Sequence, residues 1–289
     1  MKIITTIKGI KKEISQARRK RLTIGFVPTM GALHQGHLTL MQQAKKENDL
    51  VVISIFVNPL QFGPKEDFRR YPRNLKGDAG LARTAGVDII FAPSVKGMYN
   101  NAFPPERPTG LAGTFVDMPN LTDKLCGQSR PGHFRGVMTD VAKLFNIVQP
   151  DIAYFGQKDF QQALIIRKMA QDLNMNLEVK TLPTVREPDG LAMSSRNKYL
   201  SIMERCYANR LYRSLLKAKG LILSGEKNCR KIVKAMRDTI KTIPGNRIDY
   251  VEITDPETLE SIKRIKKRPV LIVLAVCVGK TRLIDNIVV

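Results

Sequence analysis

The stretch that decides the fold is Phe26-Val27-Pro28-Thr29-Met30-Gly31-Ala32-Leu33-His34-Gln35-Gly36-His37, which contains the pattern H-x-G-H. The apolar residues 22–27 predict a strand before it, and residues 36–47 predict a helix after it. A strand, a glycine-containing turn and a helix are the elements with which α/β proteins hold phosphates, because the helix N-terminus offers unpaired N–H donors and a partial positive charge. The sequence therefore predicts a phosphate site at this turn.

The residue types within the turn narrow this prediction. His34 and His37 are spaced i and i+3 on the first helical turn, so both can face one phosphate. Gly31 and Gly36 have no side chain, so a ligand or a neighbouring helix can come close to the backbone. This combination suits ATP binding and stabilisation of charge on the α-phosphate during adenylyl transfer. A pattern with three fixed residues also arises by chance, so the interpretation depends on other motifs.

Composition sets the limits within which these motifs act. The 289 residues predict one large domain or two modest ones, and 43% hydrophobic residues suffice for a core. Because no apolar run reaches about 18 residues, we expect no membrane partner, and the N-terminus lacks a secretory apolar region. We therefore expect a cytoplasmic location. The four cysteines are widely spaced without a C-x-x-C pair, which argues against a zinc site.

The charge of the chain is strongly positive. Lys and Arg number 48 against 26 Asp and Glu, which gives a net charge of +22. Such a protein can bind nucleic acid, an anionic surface or anionic substrates, but a solvated basic surface gives the same count. No aromatic interleaving, zinc finger or RNA-binding signature accompanies the charge. We therefore expect no nucleic-acid partner.

Strand and helix patterns alternate through the first two thirds of the chain. Predicted strands cover residues 22–27, 50–57, 87–91, 151–155 and 177–182, and predicted helices cover 36–47, 74–85, 134–148 and 158–173. This alternation predicts a mainly parallel, Rossmann-like sheet with right-handed crossovers. The proline-punctuated segment 93–113 is expected to form an irregular loop over a site.

The pattern changes after Pro183. Helices are predicted over 202–223 and 227–243, and strands over 247–254, 270–278 and 281–289. The expected fold class is therefore α/β: a Rossmann-like adenylyl-transfer domain, residues 1–183, with a smaller α+β C-terminal lid domain, residues 184–289, that contains an antiparallel sheet. A site between two domains can open and close on its ligand.

A second motif, Ala192-Met193-Ser194-Ser195-Arg196, follows this boundary. It is similar to the K-M-S-K-S loop that accompanies H-I-G-H in adenylyl-transfer enzymes. Two hydroxyls, backbone N–H groups and a cation form an anion clamp that suits β- and γ-phosphates, and a pyrophosphate leaving group needs its charge neutralised. An ordinary polar loop is the alternative for Met-Ser-Ser-Arg alone.

Five motifs in order closely resemble the pantothenate synthetase (pantoate–β-alanine ligase) family, and the resemblance covers essentially the whole chain. They occupy residues 28–37, 56–63, 126–137, 154–162 and 190–197. The resemblance implies that ATP, (R)-pantoate and β-alanine give pantothenate, AMP and pyrophosphate through an enzyme-bound pantoyl adenylate. No nucleophilic Ser or Cys is expected, because positioning and charge stabilisation supply most of the catalysis. The family resemblance also implies a homodimer.

Site residues are carried over from the family by position. His37 is the implied proton donor and catalytic residue, and Asn58, Gln61 and Gln162 are the implied contacts of pantoate, with Gln61 near the β-alanine site. The implied ATP-binding residues are Met30, Gly31, Ala32, Leu33, His34, Gln35, Gly36, His37, Gly156, Gln157, Lys158, Asp159, Val185, Met193, Ser194, Ser195 and Arg196. Val185 is implied to contact adenine through its backbone.

Some of these positions have simpler interpretations. Asn58 can end a strand by turn chemistry, Gln162 can face solvent, and Lys158 with Asp159 can be a helix-start charge pair. Gln157 departs from the family pattern, since some members carry Glu there. If the Glu carboxylate takes part in nucleotide binding in those members, the nucleotide affinity of this chain differs from theirs.

Magnesium is expected to accompany ATP, held mostly by phosphate and water oxygens. Asp78 is a possible helper, and no dedicated metal cage is visible. Two other functions stay open at this point: a nucleotidylyltransferase of the same superfamily, and a nucleic-acid-binding module that uses the positive charge. The motifs at 58–61 and 155–162 argue against both.

Overall fold

The computed structural model describes residues 1–64, 66–99 and 113–289. The strands of this part of the chain are β1 (Lys2–Ile4), β2 (Ile24–Thr29), β3 (Leu50–Ile55), β4 (Ile89–Phe91), β5 (Ile152–Gly156), β6 (Glu178–Leu182), β7 (Asn246–Thr254), β8 (Leu271–Val278) and β9 (Thr281–Val288). The helices are α1 (Ile7–Arg19), α2 (Gln35–Glu47), α3 (Leu75–Thr84), α4 (Val95–Tyr99), α5 (Cys126–Ser129), α6 (His133–Val148), α7 (Phe160–Asp172), α8 (Ile202–Ala208), α9 (Arg210–Leu223) and α10 (Cys229–Lys241). Short 3-10 turns cover Pro59–Gln61, Gln157–Asp159 and Ser195–Tyr199.

The chain divides into two compact units. The first comprises Met1–Asp123, Arg130–Gly156 and Gln161–Leu182, and the second comprises Lys124–Ser129, Gln157–Phe160 and Pro183–Val289. The predicted domains, 1–183 and 184–289, are each continuous in sequence. Their boundaries stay a prediction, and so does the role of the second domain as a lid.

The first unit contains a six-stranded sheet in the order β1-β4-β3-β2-β5-β6. Each pair of neighbouring strands in it is parallel. The strand order reverses at β2, which pairs with β3 on one side and β5 on the other. In open α/β sheets, ligands bind beyond the carboxyl ends of the strands at such a reversal. The prediction of a mainly parallel Rossmann-like sheet is confirmed.

Apolar side chains cover both faces of this sheet. On one face Val27 and Ile53 belong to a buried cluster with Met41 of α2 and Ala82 of α3. Elsewhere in the unit the ring of Phe145, in α6, packs on Phe26 and Phe155 with centroids 6.4 and 6.5 Å away. Burial on two faces explains why β2 and β3 are nearly continuous apolar runs rather than alternating ones.

The second unit is built on the antiparallel sheet β7-β8-β9. All eight residues of β8 are buried. Residues of α9 and α10, such as Leu215 and Ile232, share one core with Ile272 and Leu274 of this strand. The predicted smaller α+β domain with an antiparallel sheet is therefore confirmed as a fold.

Several elements differ from the sequence prediction. The strand β1 and the helix α1 were not predicted, and α1 buries Ile10, Ile14 and Ala17 between basic residues. The single helix predicted over 202–223 is two helices, α8 and α9, that meet at Asn209. The helix α4 lies inside the predicted loop 93–113, and residues 100–112 of that loop lie outside the described residues. Among the described helices, none has the length and apolar character needed to cross a membrane.

Candidate active site

The turn after β2 has a backbone that requires glycine. Gly31 has a φ of +81° and Ala32 a φ of +52°. A Cβ atom on Gly31 would lie 2.8 Å from Asp78 Oδ2 and 3.1 Å from a side-chain carbon of Ile55. The Gly31 N–H donates to Thr29 Oγ1 at 3.1 Å. Position 31 therefore combines a left-handed backbone with a close approach, which only glycine permits without strain.

Asp78 fixes this turn from the first turn of α3. Its side chain is buried, and its two oxygens accept the N–H groups of Leu33 at 2.8 Å and of Ala32 at 3.0 Å. Each carboxylate oxygen keeps a further lone pair, and the suggested helper role of Asp78 toward Mg²⁺ stays a prediction. In the described ranges, no group of three His, Cys, Asp or Glu residues could hold a metal ion.

The two histidines cap the N-terminus of α2. His34 Nδ1 accepts the N–H of Gly36 at 3.2 Å, and His37 Nδ1 accepts the N–H of His34 at 3.3 Å. Because a backbone N–H only donates, both Nδ1 atoms are acceptors, and the proton of each neutral ring stands on Nε2. The ring centroids are 4.1 Å apart. The pair therefore carries two neighbouring Nε2–H donors at a helix N-terminus, an arrangement suited to phosphate oxygens.

A second turn follows β3 and contains Asn58 and Gln61. Asn58 is fully buried, and its Oδ1 accepts the N–H of Leu60 at 3.1 Å. Its Nδ2 donates to Gln61 Oε1 at 3.2 Å and to the carbonyl of Gly136 at 3.1 Å. The direct contact of Asn58 with pantoate stays a prediction, and this geometry favours an indirect role in which Asn58 orients Gln61.

The side chain of Gln61 keeps part of its hydrogen-bonding capacity. Its Oε1 accepts from Asn58, and its Nε2 donates to Met30 Sδ at 2.9 Å. One N–H and one oxygen lone pair of this amide remain for a ligand, because an amide has two donors and two acceptor positions.

The backbone of Gln61 is held by residues of the 126–137 motif. His133 Nδ1 donates to the Gln61 carbonyl at 2.8 Å, and Arg130 donates to the same oxygen at 3.3 Å. Arg130 is itself fixed by Glu66 through two contacts of 2.6 Å. A bidentate pair of this kind has a fixed geometry, so the motif stabilises the position of the turn.

Gly136 allows α6 to touch this turn. A Cβ atom there would lie 2.2 Å from the carbonyl oxygen of Leu60 and 2.8 Å from the nitrogen of Gln61. A glycine inside a helix costs about 0.5–1 kcal/mol relative to alanine, so the contact explains a residue that helix propensity disfavours.

The remaining candidates near β5 occupy a turn and a helix start. Asn286 Nδ2 donates to the carbonyls of Gln157 and Lys158, at 2.9 Å each. Lys158 Nζ lies 3.6 Å from Asp159, as in the helix-start charge pair considered above. Gln162 is half-buried in α7, so the fully solvent-facing alternative does not describe it.

In the second unit, the segment from Val185 to Arg196 folds back on itself. The carbonyl of Val185 accepts the N–H of Met193 at 3.0 Å, and Ser194 Oγ accepts the N–H of Arg196 at 3.3 Å. Arg186 anchors the segment through Asp285, at 2.7 and 3.0 Å. Burial raises the pKa of Asp285, and the Arg186 guanidinium opposes that rise. The Met-Ser-Ser-Arg loop therefore starts from a fixed hairpin-like base.

The carboxyl edge of the first sheet thus brings together two predicted motifs at adjacent strands, the turns after β2 and β3, with Gly156 at the end of β5. Sequence reasoning missed the fixing role of Asp78 and the close approach of Gly136. The sequence did contain a signal for the close approach of Gly136, because this glycine lies in the interior of a predicted helix.

An all-parallel sheet with a histidine-capped turn at its strand-order reversal is the architecture of the nucleotide-binding, Rossmann-like class of α/β proteins. The family model described as Pantoate-beta-alanine ligase matches residues 2–288. The chain belongs to this family.

Similar proteins agree with this assignment. Relatives named pantothenate synthetase include one from Moorella thermoacetica, 54% identical over 100% of this chain and 98% of the relative. Another, from Pelotomaculum thermopropionicum, is 57% identical over 99% of this chain and 98% of the relative. The crystal structure of pantothenate synthetase from Thermus thermophilus has a TM-score of 0.91 and 44% identity, with 99% of each chain covered. A pantoate-beta-alanine ligase from Francisella tularensis, complexed with beta-gamma ATP and beta-alanine, has a TM-score of 0.79 and 35% identity, covering 100% of this chain and 97% of that one.

Proposed function

We infer that this chain is an ATP-dependent pantoate–β-alanine ligase. It condenses (R)-pantoate with β-alanine to pantothenate and releases AMP and pyrophosphate through a pantoyl adenylate. The observation that carries this inference is the family match across residues 2–288, together with the histidine-capped turn. Adenylation is needed because a carboxylate is a poor acyl donor, and AMP provides the leaving group that β-alanine displaces.

The residues of the first unit have distinct tasks in this reaction. The Nε2–H groups of His34 and His37 donate to ATP phosphates while the pantoate carboxylate attacks the α-phosphorus. His37 is the proton donor in its imidazolium form, and the proton goes to an oxygen of the departing pyrophosphate. Gln61 binds pantoate, since a neutral amide with one donor and one acceptor left matches hydroxyl groups. Gln162 is the second pantoate contact. Asn58 orients Gln61, and Met30 to His37 line the nucleotide site.

The turn after β5 and the Met-Ser-Ser-Arg loop supply further ATP contacts in this proposal. Gly156, Gln157, Lys158 and Asp159 hold the ribose and phosphates, with positive charge from Lys158. The backbone of Val185 contacts adenine. Met193, Ser194, Ser195 and Arg196 clamp the β- and γ-phosphates, which neutralises charge on departing pyrophosphate.

Three further properties belong to the proposal. Mg²⁺ accompanies ATP and is held by phosphate and water oxygens. The enzyme is a homodimer, as the family resemblance implies. It acts in the cytoplasm, and neither nucleic acid nor a membrane is its partner.

The test is pyrophosphate release from ATP with pantoate, with and without β-alanine. We expect sustained turnover only with both substrates, with pantothenate and AMP as products. A dinucleotide-type product without an amide would instead indicate a nucleotidylyltransferase. Strong, salt-sensitive DNA or RNA binding without pyrophosphate release would indicate a nucleic-acid-binding module.

A further inference from the structure

A buried tyrosine and a buried carboxyl group stand behind Asn58. The hydroxyl of Tyr99, the last residue of α4, lies 2.9 Å from Asn58 Oδ1 and 3.5 Å from Asp140 Oδ1. Tyr99 and Asp140 are each 6% exposed. Three separate elements therefore meet at one polar cluster inside the first unit, and none of the five motifs includes Tyr99 or Asp140.

The protonation of the cluster follows from its burial. Desolvation raises the pKa of Asp140 to about 8, against the weaker opposing effects of the Tyr99 hydrogen bond and of Lys143. Desolvation, with the neighbouring Asp140, also raises the pKa of Tyr99. At neutral pH the carboxyl group is therefore protonated and can donate to the Tyr99 oxygen, while the Tyr99 hydroxyl donates to Asn58.

The hydroxyl of Tyr99 completes the bonding of the Asn58 amide. Oδ1 accepts from Leu60 and Tyr99, and Nδ2 donates to Gln61 and Gly136. A flipped amide would place Nδ2 against two donors, so these partners allow one orientation only. In that orientation Gln61 Oε1 faces Asn58, and Gln61 Nε2 faces Met30.

We propose that Tyr99 and Asp140 are positioning residues for pantoate, which act through Asn58 to fix the orientation of the Gln61 amide. The inference rests on the proposed function, in which Gln61 binds pantoate. Without the Tyr99 hydroxyl, Asn58 Oδ1 keeps only the Leu60 N–H, so the Asn58 amide is held less firmly and Gln61 can more often present a carbonyl where the substrate meets an N–H.

The first variant is Tyr99→Phe, which keeps the ring near Phe56 and removes only the hydroxyl. We expect the KM for pantoate to rise about 10-fold, the size of one lost buried hydrogen bond, while the KM values for ATP and β-alanine stay within about twofold. The matched control is Tyr154→Phe. Tyr154 is buried like Tyr99, but its hydroxyl bonds to Asn48 and Glu47. The control variant Tyr154→Phe should leave the KM for pantoate unchanged.

Three further variants separate positioning from general stability. Asp140→Asn should retain the KM for pantoate, because an amide N–H can donate to the Tyr99 oxygen as the protonated carboxyl does, whereas Asp140→Leu should raise it. In a Gln61→Ala background, Tyr99→Phe should have no additional effect, because the residue through which it acts is gone.

Failure of the positioning inference can be distinguished from failure of the proposed function. An unchanged pantoate KM in folded Tyr99→Phe overturns the inference, as does an equal rise in all three KM values or a full effect in the Gln61→Ala background. If Tyr99→Phe does not fold, the comparison of Asp140→Leu with Asp140→Asn decides, and equal pantoate KM values for those two overturn the inference. Absence of pantoate-dependent pyrophosphate release in the wild type contradicts the proposed function itself, and that result is visible before any variant is made.

Discussion

The turns after β2 and β3 lie at the same edge of one sheet but are held by different chemistry. The first turn, which leads into His34 and His37, is fixed by the buried carboxylate of Asp78 and by imidazole nitrogens that accept backbone N–H groups. In the second turn, amide and hydroxyl groups orient the side chains of Asn58 and Gln61, while His133 and Arg130 hold the Gln61 carbonyl. In the first turn the carboxylate and the imidazole Nδ1 atoms accept backbone N–H groups, and the proposed function assigns the Nε2–H groups to phosphate. The neutral groups around Asn58 orient the Gln61 amide, which suits a hydroxylated substrate.

This difference predicts that damage to the first turn lowers the rate, whereas damage to the second weakens pantoate binding. For His37→Ala we expect a loss of about 100-fold or more in kcat for adenylate formation, the usual contribution of a proton donor. The variant also loses a helix cap worth about 1 kcal/mol, so thermal unfolding is measured beside the rate. Wild-type-like kcat would remove His37 from its assigned role.

His37→Gln sharpens this first prediction. A glutamine amide can donate a hydrogen bond but cannot transfer a proton at neutral pH. We expect kcat to remain low while ATP binding recovers relative to the alanine variant. Recovery of kcat would mean that His37 acts only as a hydrogen-bond donor.

Gly136→Ala tests the second turn. The added methyl would meet the Leu60 carbonyl at 2.2 Å, so the turn and Gln61 must shift. We expect a rise of about 10-fold or more in the KM for pantoate, by the loss of more than about 1.4 kcal/mol of binding, and a smaller change for ATP.

The matched control is Gly80→Ala in α3, where a Cβ would meet nothing within 4 Å. That variant should bind pantoate normally and gain about 0.5–1 kcal/mol of stability from helix propensity. A pantoate KM for Gly136→Ala equal to that of the control would contradict the close-packing argument.

The same contrast separates what the sequence predicted from what it could not. The apolar runs of β2 and β3 and the H-x-G-H pattern are local, and they predicted the parallel sheet and the turn between β2 and α2, but not the capping of α2 by the histidines. The contacts of Tyr99 with Asn58 and of Arg130 with Glu66 join residues 41 and 64 positions apart, and no local pattern encodes them. The helix α1 was missed because basic residues surround its narrow apolar stripe.

The pH dependence of stability tests the protonation of the second turn's network. Asp140 has an ordinary pKa of 3.8, and burial raises the pKa in the folded chain to about 8. Between these values the folded state holds a proton that the unfolded state has lost. The free energy of unfolding therefore falls by at most about 1.4 kcal/mol per pH unit as pH rises, for this group alone.

Asp140→Asn removes that contribution. Urea unfolding at pH 5.5 and pH 7.5 should show the variant gaining stability relative to wild type by about 1–3 kcal/mol at the higher pH. A difference between the two proteins that does not vary with pH would mean that Asp140 is ionised in the folded chain throughout this range.

The smallest effect is expected at the turn after β5, whose position depends on neither a carboxylate nor an imidazole. Asn286 holds the carbonyls of Gln157 and Lys158, so the backbone there is fixed whatever side chain stands at position 157. Gln157→Glu restores the residue that some family members carry, and we expect the KM for ATP to change by less than about threefold, or about 0.6 kcal/mol. A larger change would show that the side chain itself, which donates to Asn286 Oδ1 at 3.5 Å, takes part in nucleotide binding. Nucleotide affinity in this chain would then depend on the amide side chain of Gln157.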